Sequence, residues 1–202
     1  FDGGVATYTM KADLAEAGGL LGLAGWGGTV EAQGEVTPGD AALPGKIEMK
    51  LLNIVSDTFS LPYEVPMTVS ARHTRDAKSG EFKLSDIAAA LEGQAEVSAA
   101  TLSAAWPKAS AGGLKIALQP AFLASQGLLE SGAGTISLSG DAVALSLDGL
   151  GAPLAFTIDA TELVLPEKAA ALRTVTGSGT LGWSGGMQAT GNLAVGQFLC
   201  AG

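Results

Sequence analysis

The chain of 202 residues carries 11 Lys and Arg against 20 Asp and Glu, a formal charge of -9, which argues against nucleic acid or an anionic membrane surface as partner because both are held by clustered cations. With 47% hydrophobic and only 15% charged residues it is too apolar to be disordered, and its 29 Gly point to many strands and turns. One Cys and one His leave no material for an internal disulfide framework or a thiolate and imidazole metal cage.

In chain order, the first signal is the start itself. Phe1-Asp2-Gly3-Gly4 has neither an initiator Met nor a charged-then-apolar leader, and reads as a mature product or an excised piece of something longer. Alternation of period two then dominates, the mark of strands with one buried face. Ala6, Tyr8, Met10 and Ala12 alternate with Thr7, Thr9 and Lys11 in an opening strand. Asp13 to Leu23 carries a short helical pattern weakened by Gly18, Gly19 and Gly22. Val30 to Val36 and Ile47 to Leu51 alternate apolar with charged residues, separated by the turn signals Thr37-Pro38-Gly39-Asp40 and Leu43-Pro44-Gly45.

Phe82 and Leu84 alternate with Glu81 and Lys83 after a Lys78-Ser79-Gly80 turn, and Ser85 to Glu92 has the composition of a short helix with Ser85 as N-cap. Leu114, Ile116 and Leu118 form another strand, followed by a helix predicted over Pro120 to Glu130. The later strands, Ile136 and Leu138, Val143 to Leu147, and Leu154 to Ile158, alternate with Ser, Ala, Thr or Gly instead of charges. Turns are predicted at Ser139-Gly140-Asp141, Asp148-Gly149 and Ser184-Gly185-Gly186, and a further helix over Pro166 to Arg173. The predicted class is mainly β: many short antiparallel strands in a curved sheet, sandwich or open barrel, with two to four short connecting helices, in one domain over 1–202 with a sub-boundary near 110–130 between a more charged and an uncharged half. No run of residues is long and apolar enough for a membrane-spanning helix.

Ser131 to Gly140 and Thr176 to Gly185 echo each other at an offset of about 45 residues, each a Gly-rich lead into a strand and a Ser-Gly turn. Two catalytic motifs fail on their context. Gly182-Trp183-Ser184-Gly185-Gly186 has the spacing of a nucleophile elbow, but the single histidine, His73, lies upstream and no acid follows Ser184. Gly177-Ser178-Gly179-Thr180-Leu181-Gly182 has the dinucleotide fingerprint, but the acid needed about 20 residues on is missing. Asp159 and Glu162 are odd-spaced and face opposite sides of a strand, so they make no carboxylate pair. No catalytic residue, cofactor or metal is therefore expected.

Arg72, His73 and Arg75 form the most basic stretch of an acidic chain and are the candidates for contact with an anion, set against a solvated hairpin end. Trp26, Trp106 and Trp183 each adjoin Gly or Pro and read as packing at sheet ends, while Cys200 reads as an unpaired, buried or partly buried thiol. Leu145, Leu147, Phe156 and Ile158, on the least charged strands, are the candidate ligand-binding residues.

The segments Ile158 to Pro166, Val175 to Trp183 and Gly191 to Val195 resemble the strand units of Gram-negative envelope β-repeat proteins, namely protein N of the type II secretion system, AsmA-like proteins and periplasmic proteins of alphaproteobacteria. The resemblance covers roughly the last third of the chain. It implies a curved periplasmic β structure contacting lipid or secretion partners, and transfers no individual residue. The expected function is a non-enzymatic cell-envelope protein, exported to the periplasm or envelope, that binds a lipid or protein partner through an apolar sheet face or groove. The alternative is a structural subunit of a surface layer, filament or larger envelope assembly, with self-association through uncharged strands.

Overall fold

The structure, a computed structural model, describes residues 4–21, 25–37, 44–56, 59–60, 66–75, 82–105, 108–146, 149–166, 170–183 and 186–200. Its strands are β1 (Ala6–Asp13), β2 (Gly27–Val36), β3 (Gly45–Ser56), β4 (Phe59–Ser60), β5 (Met67–Arg75), β6 (Phe82–Leu91), β7 (Ala95–Ala105), β8 (Lys108–Leu118), β9 (Ser131–Ser146), β10 (Gly149–Leu150), β11 (Leu154–Val164), β12 (Ala170–Trp183), β13 (Met187–Val195) and β14 (Phe198–Cys200). Two helices, α1 (Leu14–Leu21) and α2 (Pro120–Ser125), complete it. All the strands belong to one 14-stranded sheet, whose main path runs β1-β2-β3-β5-β6-β7-β8-β9-β11-β12-β13. Each neighbouring pair is antiparallel. The fold is thus mainly β, as the alternation predicts. Of the sheet forms open at that point the molecule takes a single open sheet, because among the described residues β1 and β13 end the path without pairing to each other.

Register makes the alternation continuous. Met10, Ala32, Met49, Val69, Ala89, Val97, Ile116, Leu138 and Phe156 are successive cross-strand partners, one per strand, in an unbroken apolar row. One residue along, Lys11, Glu31, Lys50, Thr68, Ala90, Glu96, Ala117, Ser137 and Thr157 make the parallel row on the opposite face. A slip of one residue would exchange the two faces, so the pattern fixes the register.

The core gathers in three clusters beside that row. Leu14 on α1 packs with Ile54 and Leu91, joined by Trp26, Val30, Leu51, Met67, Ala95 and Phe122. Leu129, Ala160, Leu163 and Val175 form a second cluster, against which Leu123 and Ala124 of α2 pack. One short helix therefore ties two clusters together: its Phe122 goes to the first and its next two residues to the second. Ala99, Ala111, Leu114, Val143 and Leu154 make the third, in β7 to β11. Full burial of side chains such as Leu91 or Val143 stabilises the fold by about 1.5–3 kcal/mol each.

The helices begin and end for local reasons. Asp13 Oδ1 accepts a hydrogen bond from the Ala15 N–H at 2.8 Å, starting α1. Pro120 at the first turn starts α2, and Gly127 at φ 73° lies just beyond its end, so this helix stops well short of the predicted Glu130. The helix predicted over Ser85 to Glu92 is instead the C-terminal part of β6, where Ala88, Ala89, Ala90 and Leu91 pair with both β5 and β7. Pairing on both sides overrides the helical preference of an Ala run. Likewise Ala170 to Arg173 lie in β12, held between β11 and β14, rather than in a helix. The Ser139-Gly140-Asp141 turn signal falls inside β9, which runs straight through it while paired to β8. The repeat at 131–140 and 176–185 accordingly holds for the strands and not for the turn.

The accessible surface is 12613 Å², against about 8,700 Å² for a compact 20.1 kDa chain. The excess is what a single-layer sheet entails, since no second sheet covers either face among the described residues.

Candidate functional site

The apolar row is the feature that position and burial single out. Ala32 is 5% exposed, but Met49, Val69, Ala89, Val97, Ile116, Leu138 and Phe156 are only half-buried and Met10 is exposed. Residues on the same strands on either side, such as Leu91 and Ala99, are buried in the clusters. Of the row itself, Val97, Ile116 and Leu138 pack against the third cluster while staying half-buried, and Met10, Met49, Val69 and Ala89 belong to none of the three.

A cavity of about 1190 Å³ extends across the strands from β1 to β9 at this level. Each of the eight strands from the main path contributes three successive residues, and the middle one of each three belongs to the apolar row: Thr9-Met10-Lys11 on β1, Glu48-Met49-Lys50 on β3, Lys115-Ile116-Ala117 on β8. The row side chains thus lie on one face of each strand segment, while the hydroxyl, methyl or charged side chains of the residues before and after them point to the opposite face. A hollow of about 400 Å³ adjoins it over Thr7, Thr9, Gln33, Glu35, Lys46 and Glu48. The larger space exceeds the roughly 300–1,000 Å³ of ordinary small-molecule pockets.

Charge at the site is balanced. Three Lys (Lys11, Lys50, Lys115) and three Glu (Glu31, Glu48, Glu96) border the cavity, and Lys11 and Lys50 are the cross-strand partners of Glu31 on the face opposite the apolar row. Lys11 Nζ donates to Glu31 Oε1 at 2.7 Å, and Gln33 Nε2 donates to Glu48 Oε2 at 2.9 Å. The Lys11 hydrogen bond and charge hold the Glu31 carboxyl below its ordinary range, opposed by slight desolvation and helped by Lys50. Among the described residues no three His, Cys, Asp or Glu side chains gather where they could hold one metal ion.

The sequence-predicted residues distribute as follows. Phe156 sits at the end of the apolar row, next to Leu138, just past the cavity's lining. Ile158 packs against the cluster under α2. Leu145 lies on β9 opposite Ala109 and Leu150, and Leu147 is outside the described residues. Arg72 and His73 are adjacent on β5 and so point to opposite faces: Arg72 is exposed, 3.4 Å from the Asp86 carboxylate, whereas His73 is 8% exposed with its ring over Gly45. Arg75 ends the strand.

Ser184 is outside the described residues; Trp183 before it pairs with Met187, and the next described element is a strand, β13, where a nucleophile elbow would lead into a helix. The Gly177 to Gly182 fingerprint is mid-strand in β12, and β13 follows it. Trp26 is half-buried in the cluster around Leu14, Trp183 is exposed, and Trp106 is outside the described residues. Cys200 is exposed on β14, contrary to the expected burial, because β14 is an uncovered edge segment.

Val69, Ala89 and Val97 are central to the row and escape the sequence reading. Their signal is present in β5, where Met67, Val69, Ala71 and His73 alternate with Thr68, Ser70, Arg72 and Thr74, and is interrupted there by the basic residues of the same strand. The chain matches no protein-family profile, no curated protein and no solved structure. No helix among the described residues is long and apolar enough to cross a membrane.

Proposed function

We propose that this is a non-enzymatic protein of the bacterial cell envelope that binds an acyl-chain amphiphile along the apolar row of its sheet. One observation carries the reading: of an apolar row continuous over nine strands, seven residues stay half-buried, and eight of its nine members border a cavity of about 1190 Å³. An apolar surface of that extent left open in water favours a partner that covers it. Every side chain of the row is uncharged, which suits a ligand with an extended apolar body better than a multiply charged one. The envelope assignment draws on composition and on the resemblance to envelope β-repeat proteins.

Native mass spectrometry of protein purified from its source, with lipid extraction from the same preparation, tests the proposal. A co-purifying acyl lipid, lost or reduced in Ile116→Gln, is expected. Ligand-free protein that also fails to bind a fluorescent fatty-acid probe would overturn it. The assembly alternative rests on a different surface, the sheet edge, and leads to the inference below.

A further inference from the structure

The sheet leaves two edges open, and they are built differently. On β1 the edge carries Lys11 and Asp13. On β13 it carries nothing charged: from Thr174 to Gly202 the chain has no Asp, Glu, Lys or Arg, and no Pro. Every residue of β13 and β14 is exposed, with Met187 at 75% and Leu193 at 62%. Folded proteins ordinarily protect such an edge with Lys, Pro, a covering loop or a short strand. Nine residues of uncharged, exposed strand with none of these charges or prolines form a surface made for another strand.

The phase of the ladder says which groups are on offer. Gly196 N–H donates to the Thr174 carbonyl at 2.9 Å, and the β12–β13 register continues in step from Val175 opposite Val195. Antiparallel pairing alternates the direction of backbone groups. The amides of Gln188, Thr190, Asn192 and Ala194 therefore face β12, and those of Met187, Ala189, Gly191, Leu193 and Val195 face outward.

We propose that β13 pairs antiparallel with β13 of a second copy of this chain, about a two-fold axis at Gly191, so that two sheets join into one. Gly191 is the midpoint of the strand, and this register alone pairs all nine residues. It places Ala189 opposite Leu193 and Met187 opposite Val195 on the apolar face, a small residue against a large one and two large ones at the ends. Gln188 meets Ala194 and Thr190 meets Asn192 on the other face. No like charges meet. A second copy is the fitting occupant because the chain's net charge of -9 lies wholly outside this segment, so two acidic chains approach with least repulsion here. A charged peptide would find no counter-charge. Isologous two-fold pairing also closes the assembly at two subunits.

Sedimentation velocity over a hundredfold concentration range tests this. A concentration-dependent dimer is expected. Ala189→Lys with Leu193→Lys puts Lys against Lys at both symmetric positions and weakens association about tenfold or more, while Ala189→Lys with Leu193→Glu puts opposite charges there and restores it. Both double variants sit on an exposed strand, and circular dichroism checks that each keeps its β content. A strict monomer, an open-ended series of oligomers through β1, or equal dimerisation by both variants would each overturn the proposal.

Discussion

One row of residues crosses the whole sheet and changes character on the way. It begins Lys11, Glu31, Lys50 on β1 to β3 and ends Thr157, Ser178, Asn192 on β11 to β13. The apolar row beside it begins with Met10, Ala32 and Met49 and ends at Phe156, Gly179 and Gly191. The strands at both ends therefore obey the same period-two rule, yet along these two rows the first end carries the Lys11–Glu31 ion pair and bulky side chains, while the last approaches backbone to backbone with little side chain between, its Arg173–Glu162 pair lying further along β11 and β12. Period two specifies which way a side chain faces. What the two faces carry decides whether a strand is solvated, packed or open to a partner.

The largest effect should come from the packed end. Leu91 is 2% exposed and joins Leu14 and Ile54, so Leu91→Ala should cost about 3 kcal/mol, a fall in Tm of about 6–12 °C by calorimetry. A loss below about 1 kcal/mol would mean that α1 and its cluster do not hold that end. The glycine end breaks by the opposite operation. A Cβ at Gly179 would run into the Thr190 carbonyl and the Gly191 Cα, so Gly179→Val should push β12 and β13 apart at a cost of about 1–3 kcal/mol. Hydrogen exchange should then speed up in β13 and remain unchanged in β1 to β3; uniform acceleration would mean that the two ends unfold as one unit.

Ile116→Gln, in the middle of the apolar row, separates binding from stability. Ile116 is half-buried and packs against the Ala99, Leu114 and Val143 cluster, so the substitution should cost about 1–2 kcal/mol, a fall in Tm of about 2–8 °C, while weakening uptake of an acyl probe about tenfold. Equal loss of both would make the row a structural surface rather than a binding one.

Much of this architecture is legible in the chain. Val30 to Val36, Ile47 to Leu51 and Leu154 to Ile158 announce strands because apolar residues alternate strictly with something different, and all three are strands. Ser85 to Glu92 does not, because its alanines favour a helix locally and only pairing with β5 and β7 on both sides overrides that preference. The turn signal at Gly140 misleads for a related reason: Gly140 sits where a Cβ would meet Val143 and Leu154, so glycine is there for close packing, not for a bend. The candidate site is less legible than the fold. Its row takes one residue from each of nine strands, and apart from Ala89 and Val97, which flank one tight turn, successive members lie at least 17 residues apart. Phe156 could be found because its strand alternates clearly; Val69 and Val97 depend on registers set far away in the chain.

The smallest effect belongs to the charged end, and its sign follows from the pair that causes it. Lys11 holds the Glu31 carboxyl below its ordinary range, so the folded form binds that proton less readily than the unfolded chain does. The pair's contribution is then fully present above the ordinary carboxylate range and fades as pH falls through the lowered pKa. Both side chains are well exposed, at 71% and 43%, so the contribution is small and screened by salt. Glu31→Gln should leave stability near neutral pH almost unchanged, remove a shallow part of the acid-side decline, and differ from the parent chain less in high salt than in low. The same titration on a variant of the uncharged end, such as Ser178→Ala, should superimpose on the parent curve. If Glu31→Gln superimposes as well, the ion pair contributes nothing measurable and the two ends differ only in packing and in the edge they expose.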